Sequence, residues 1–190
     1  MKNSTNWSIY PTEYYSEIEI FWLSTHGSLT SKLRTLGDYS IELINQWECP
    51  ATPHDAQILN LSVGSPIWIR EVLMCIDNTP CVTARSLTSI QSLQHNWIEL
   101  TNYGSSPLGN ILYNDKTIER SAFEYTFLVP GDPLEKFSRK FDNKEKKLIA
   151  RRSKFSRDDS ILCISECFLN TFWNGYANNI KELSLGTYIY

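Results

Sequence analysis

The sequence predicts a single α+β domain on a mostly antiparallel sheet, with helices packed around it. Three observations carry that expectation. Two pairs of strand-like segments are joined by short turns, as in hairpins. Helical stretches lie outside those hairpins. No repeat or interdomain linker divides the 190 residues, and 42% hydrophobic against 21% charged composition suits one core. The expected domain therefore spans 1–190.

The elements follow in order. "TEYYSEIEIFWLS" (12–24) reads as a helix with an apolar stripe through Tyr14, Ile18, Phe21 and Trp22. "SLTSKLRTLG" reads as a short second helix, capped by Ser28 and closed by Gly37. "DYSIELINQWE" alternates as a strand. "SPIWIREVLMCI" (65–76) and "PCVTARSLTSI" (80–90) flank the turn "DNT". "SLQHNWIELTNYG" reads as helical, and "SSPLGNILYN" as a short helix or turn with Pro107 early in it. "TIERSAFEYTFLV" (117–129) predicts a long strand. "PGDPLEKFSRKFDNKEKKL" (130–148) is charged and turn-rich, so it is expected to be an exposed insertion. "ARRSKFSR", the turn "DDS" and "ILCISECFL" form the second hairpin. Residues 174–190 form a C-terminal tail with little pattern.

Several classes fall away. A net charge of −3 argues against general binding to nucleic acid or to a membrane surface. No stretch approaches the roughly 20 apolar residues of a membrane span, and the N-terminus lacks the character of a signal or transit peptide. The five cysteines form no CxxC pair and read as free thiols in a reducing compartment. His26, His54 and His95 are scattered, so no metal site is expected. There is no dinucleotide, P-loop, GxSxG or HExxH motif.

A charged pair stands out. Alternation on a strand puts Leu162, Ile164, Glu166 and Phe168 on one face, so Glu166 is an anion on an apolar side. The same parity puts Arg70 with Trp68, Val72 and Met74. Either the two pair in the core, or both line a water-poor pocket, where arginine's planar fork suits a carboxylate ligand. Arg85 lies in the hairpin partner of Arg70, Arg120 opens a strand, and Arg151 and Arg152 open the strand hairpinned to Glu166. Basic groups converging on one sheet suit a small, multiply anionic ligand. Taken singly, Arg85, Arg120, Arg151 and Arg152 also fit solvated sheet-edge charges.

"WIREVLMC" with "ARS", then "SSPLGNILY", "IERSAFEY", "ARRSKF" and "ISECFL", in that order, resembles the chorismate pyruvate-lyase family, and more closely its cyanobacterial and plastid-encoded branch. The match runs from about Gly27 to Phe168. The resemblance implies an α+β domain with an internal cavity under helical flaps. It implies cleavage of chorismate to 4-hydroxybenzoate and pyruvate, feeding quinone biosynthesis, with no cofactor and no metal.

Carried across, the family's binding arginine falls on Arg70, its glutamate on Glu166, and its flap contacts on Leu29 and Leu108. Arg70 would clamp carboxylate, and Glu166 would act as an acid or orient the substrate hydroxyl, facing Arg70 as well as the ligand. Backbone amides near Leu29 and Leu108 would complete the anion site, helped by helix N-termini. Arg85 and Arg152 are accessory candidates. The expected protein is a monomer, cytoplasmic or in the plastid stroma. A related fold serves as the effector-sensing domain of transcription regulators, so a non-catalytic ligand-binding module is the alternative.

Overall fold

The "DNT" hairpin forms the middle of the sheet. β2 (Pro66–Ile76) and β3 (Thr79–Ser89) pair antiparallel across Asp77 and Asn78, whose φ angles of 50° and 61° make the tight turn that matches strand twist. β1 (Tyr39–Pro50) adds to the outer side of β2, with a register shift between Leu43 and Asn45. The second hairpin, β6 (Ile149–Arg157) and β7 (Ser160–Phe168), joins through β7 to β3. β4 (Glu119–Arg120) and β5 (Glu124–Phe127) both pair with β6. The sheet order is β1-β2-β3-β7-β6-β4, antiparallel throughout, with β5 also on β6. The computed structural model describes residues 5–11, 14–142 and 146–179.

Helices cover both faces. On the front, α1 (Glu17–Ser24) and α7 (Asn170–Gly175) pack against one end of the sheet. Trp22 meets Phe172 edge-on at 4.8 Å and donates from Nε1 to the Ala177 carbonyl at 3.0 Å. The other end is covered by α4 (Ile90–His95), a 3-10 turn (Ile98–Asn102) and α5 (Gly109–Leu112). The short α2 (Leu29–Leu33) lies between. On the back sit α3 (Pro53–Leu59) and α6 (Pro133–Ser138). None of the described helices is long and apolar enough to cross a membrane.

Local chemistry explains where the elements depart from expectation. The first helix starts at Glu17, because Ser16 and Glu19 form a reciprocal capping box, and residues 12–13 of the expected helix lie outside the described residues. Tyr14 therefore lies outside the helix and is exposed. The strand expected over 117–129 is broken between β4 and β5, where Phe123 leaves the ladder and turns inward. The helix expected over 92–104 instead runs from Ile90 to His95 and resumes as the 3-10 turn. Helix α3 was not anticipated, although Thr52, Pro53 and Asp55 form a capping box with proline in the first turn.

The described part of the segment, 130–142 and 146–148, is not an exposed excursion. Its Leu134, Phe137 and Leu148 are buried against Leu73, Ala150 and Cys167 on the back of the sheet. The Asp142 carboxylate accepts from both the backbone and side-chain amides of Asn170, at 2.6 and 2.9 Å. Within α6 the apolar positions are three apart and share a face, so the lysines disguise an amphipathic helix. Phe137→Ala should lower stability by about 3–5 kcal/mol, measured by urea unfolding. An unchanged midpoint would mean that the segment carries no core. Of the expected tail, Ala177 is buried, and residues 180–190 lie outside the described residues.

Candidate active site

Strand register lays two rows of side chains across the front of the sheet. One row runs Val72, Ala84, Glu166, Arg151 and Tyr125; the next runs Arg70, Ser86, Ile164 and Ser153. The sheet hollows where these rows carry Ala84, Ser86 and Ser153, side chains too short to reach the helices above. The space left is a cavity of about 580 Å³, counting the open solvent at its mouth.

The roof comes from α2 and from the segment ending in α5, through Leu29, Pro107, Leu108 and Leu112. The two roof pieces meet where Gly109 lies against Ser28, so closely that a Cβ on Gly109 would sit 2.8 Å from the Ser28 hydroxyl. Arg157, on β6, anchors both ends of the second piece. It donates to Glu99 at 2.8 Å, to Asp115 at 3.0 Å and to the Asn96 carbonyl.

Arg70 is 2% exposed and lines the cavity. Its Nη2 donates to the carbonyls of Gly104 and Ser106, at 2.8 and 3.0 Å, and its Nε donates to Gly104 at 3.3 Å. Among the described residues, Nη1 has no partner. One edge of the guanidinium thus supports the roof. Burial pulls its pKa down to about 10, against the opposing influence of Tyr39 and Tyr103. It remains a cation at neutral pH.

Glu166 also lines the cavity, but its partner is Arg151. Arg151 Nε donates to Glu166 Oε2 at 2.6 Å, and Arg151 Nη1 donates to the carbonyls of Trp22, Leu23 and Thr25 at the end of α1. Pairing of Glu166 with Arg70 is overturned by register. They stand two strands and two residues apart, about 12 Å between Cα atoms. The two share the cavity without touching, and Glu166 Oε1 has no partner among the described residues.

Parity holds on every strand of the front face, yet it separates the accessory candidates from the cavity. Arg85 points to the back, at 3.0 Å from Asp55 and 3.7 Å from Glu71, and so fastens α3. Arg152 pairs with Glu124 at 2.8 Å and covers the Trp7 ring. Arg120 does not line the cavity either; it donates to the Tyr113 hydroxyl and to Ser153 and stacks on Phe123. Arg151, named among the converging basic groups but not among the accessory candidates, is the one of that set that lines the cavity. The alternation in "RRSKF" was the available signal: Arg152 and Lys154 share a face, so Arg151 goes with Ser153 and Phe155.

No thiol lines the cavity, and burial pushes Cys81 and Cys167 up to about 12 and Cys163 to about 11. Thiolate nucleophiles at those positions are therefore disfavoured.

Two arginines and a carboxylate line the cavity under a two-part roof. The family model described as chorismate lyase matches residues 5–177. The chain belongs to the chorismate lyase family.

It is 48% identical over 177 residues to a protein of Burkholderia pseudomallei named "Probable chorismate pyruvate-lyase 1", covering 93% of this chain and 96% of that one. A protein of the same name from Pseudomonas fluorescens is 43% identical over 184 residues, covering 96% and 100%. These relatives are proteobacterial, so they give no support to a cyanobacterial or plastid branch within the family. Among solved structures, the effector domain of PhnF from Mycobacterium smegmatis has a TM-score of 0.53 at 14% identity, covering 76% of this chain and 89% of that one. A PhnF C-terminal domain gives 0.55 at 15%, with the same coverage. At such identities the likeness is one of fold alone.

Proposed function

We propose that the protein is a chorismate pyruvate-lyase acting as a monomer in the cytoplasm, and that its 4-hydroxybenzoate enters quinone biosynthesis. The observation that carries the reading is the cavity of this lyase-family chain. It has a free arginine nitrogen on Arg70 and a free carboxylate oxygen on Glu166, carried on strands two apart in the sheet. The free thiols fit a reducing compartment.

Arg70 Nη1 takes the ring carboxylate. The backbone amides that open the first turns of α2 and α5, at Leu29 and Leu108, lack intrahelical acceptors and add donors beside it. Glu166 takes the hydroxyl at the opposite ring position. The ion pair with Arg151 supports a hydroxyl-orienting role over an acid one, because a paired carboxylate accepts hydrogen bonds and does not donate them.

The reaction balances without any added group. The ring C–O bond breaks with its electron pair going to the enolpyruvyl oxygen. The hydroxyl-bearing carbon loses its proton, the ring becomes aromatic, and a proton on the vinyl carbon completes pyruvate. The enzyme supplies orientation, charge stabilisation at the departing oxygen and a dry enclosure.

Incubating the purified chain with chorismate should yield equal amounts of 4-hydroxybenzoate and pyruvate, resolved by chromatography. A folded chain that binds 4-hydroxybenzoate but leaves chorismate unchanged would be a ligand-binding module instead.

A further inference from the structure

Chorismate carries two carboxylates, and Arg70 has one free nitrogen for them. Its other donors hold Gly104 and Ser106, and a carboxylate at the far end of the ligand lies out of its reach. The second carboxylate hangs from the ring carbon next to the one bearing the hydroxyl. Glu166, which takes that hydroxyl in the reading above, stands directly across the β6–β7 ladder from Arg151. Arg151 is 1% exposed and lines the cavity, and among the described residues its Nη2 has no hydrogen-bond partner. The other two nitrogens are fixed, Nε by Glu166 and Nη1 by three carbonyls. A face of the same guanidinium lies 4.4 Å from the Phe123 ring centre.

We infer that Arg151 is the site for the enolpyruvyl carboxylate: Nη2 binds that group while Nε holds Glu166 against the neighbouring hydroxyl. The inference rests on the lyase reading and adds to it the means of selecting a diacid. A guanidinium locked at two of its three nitrogens needs little reordering to bind. Arg70 and Arg151 are the cations of the cavity lining, against one carboxylate. Without Arg151, the lining would be neutral around a dianion. Holding the enolpyruvyl carboxylate beside the ether also keeps the leaving group oriented as the ring flattens.

Two unreactive probes test this: 3-(carboxymethoxy)-4-hydroxybenzoate and the same molecule with its side-chain acid replaced by a carboxamide. The native chain should bind the acid about 10- to 100-fold more tightly, the range for a charge-assisted contact. In Arg151→Gln the preference should fall to about threefold or less, even if both affinities drop because Glu166 is disturbed. Arg151→Lys should retain part of it. A structural role would weaken both probes alike and leave the ratio unchanged, which would overturn the inference, as would a native ratio near one. Should Arg151→Gln not fold, a crystal structure of the native chain with the acid decides. The side-chain carboxylate is expected on Arg151 Nη2, and its placement on the Leu29 or Leu108 amide would overturn the assignment. Chorismate turnover by the native chain is measured separately, so absence of lyase activity is distinguishable from absence of the subsite.

Discussion

Arg70→Ala is expected to lower kcat/KM for chorismate by about 30- to 1000-fold, the equivalent of roughly 2–4 kcal/mol of transition-state binding. Two losses combine in that figure. The substrate carboxylate loses a partly desolvated cation, and the carbonyls of Gly104 and Ser106 lose the donors that hold the roof in place. Arg70→Lys separates them. Lysine restores the charge but has no fork with which to hold two carbonyls and a ligand at once. Its turnover should fall between native and alanine. Near-native kinetics in a folded Arg70→Ala chain would leave Arg70 with a purely structural role.

Glu166→Gln acts on two quantities. The carboxylate is the counter-charge of a buried arginine, and its own side chain is 17% exposed. The stability loss should therefore be about 1–3 kcal/mol, short of the 3–5 for fully buried pairs, because three carbonyls still hold Arg151. Turnover should fall by about 10- to 100-fold, as the substrate hydroxyl exchanges a charged acceptor for a neutral one. Affinity for 4-hydroxybenzoate should change by less than about tenfold, since the amide still accepts from the phenol. Thermal melting and turnover on the same variant check both effects. A large melting loss with native turnover per folded molecule would remove Glu166 from the chemistry.

Alternation along single strands made much of this site legible. Arg70 and Glu166 could be placed on one face of the sheet because a two-residue period needs only the local sequence. Their partners could not be placed that way. Whether Glu166 meets Arg70 or Arg151 depends on which strands are neighbours and in what register, and both are long-range properties. The carbonyls of Gly104 and Ser106 leave no trace in side-chain chemistry at all. The 130–148 segment misled for a different reason: six lysines and arginines in a short run outweigh Leu134 and Phe137 in composition, whereas packing depends on which side each residue occupies. Arg85 and Arg152 were read from proximity in sequence to the site, and a one-residue offset on a strand sends a side chain to the other face.

The grip of Arg157 on both ends of the roof segment, at Asn96 and Glu99 and again at Asp115, bears on chain entropy. A segment free at one end would have to find its closed arrangement anew after each ligand departs, losing the configurational freedom of the whole length. With both ends fastened to one guanidinium, that loop-closure cost is incurred once, when the chain folds. Any excursion of the segment is then expected in its middle, around the Arg70 contacts.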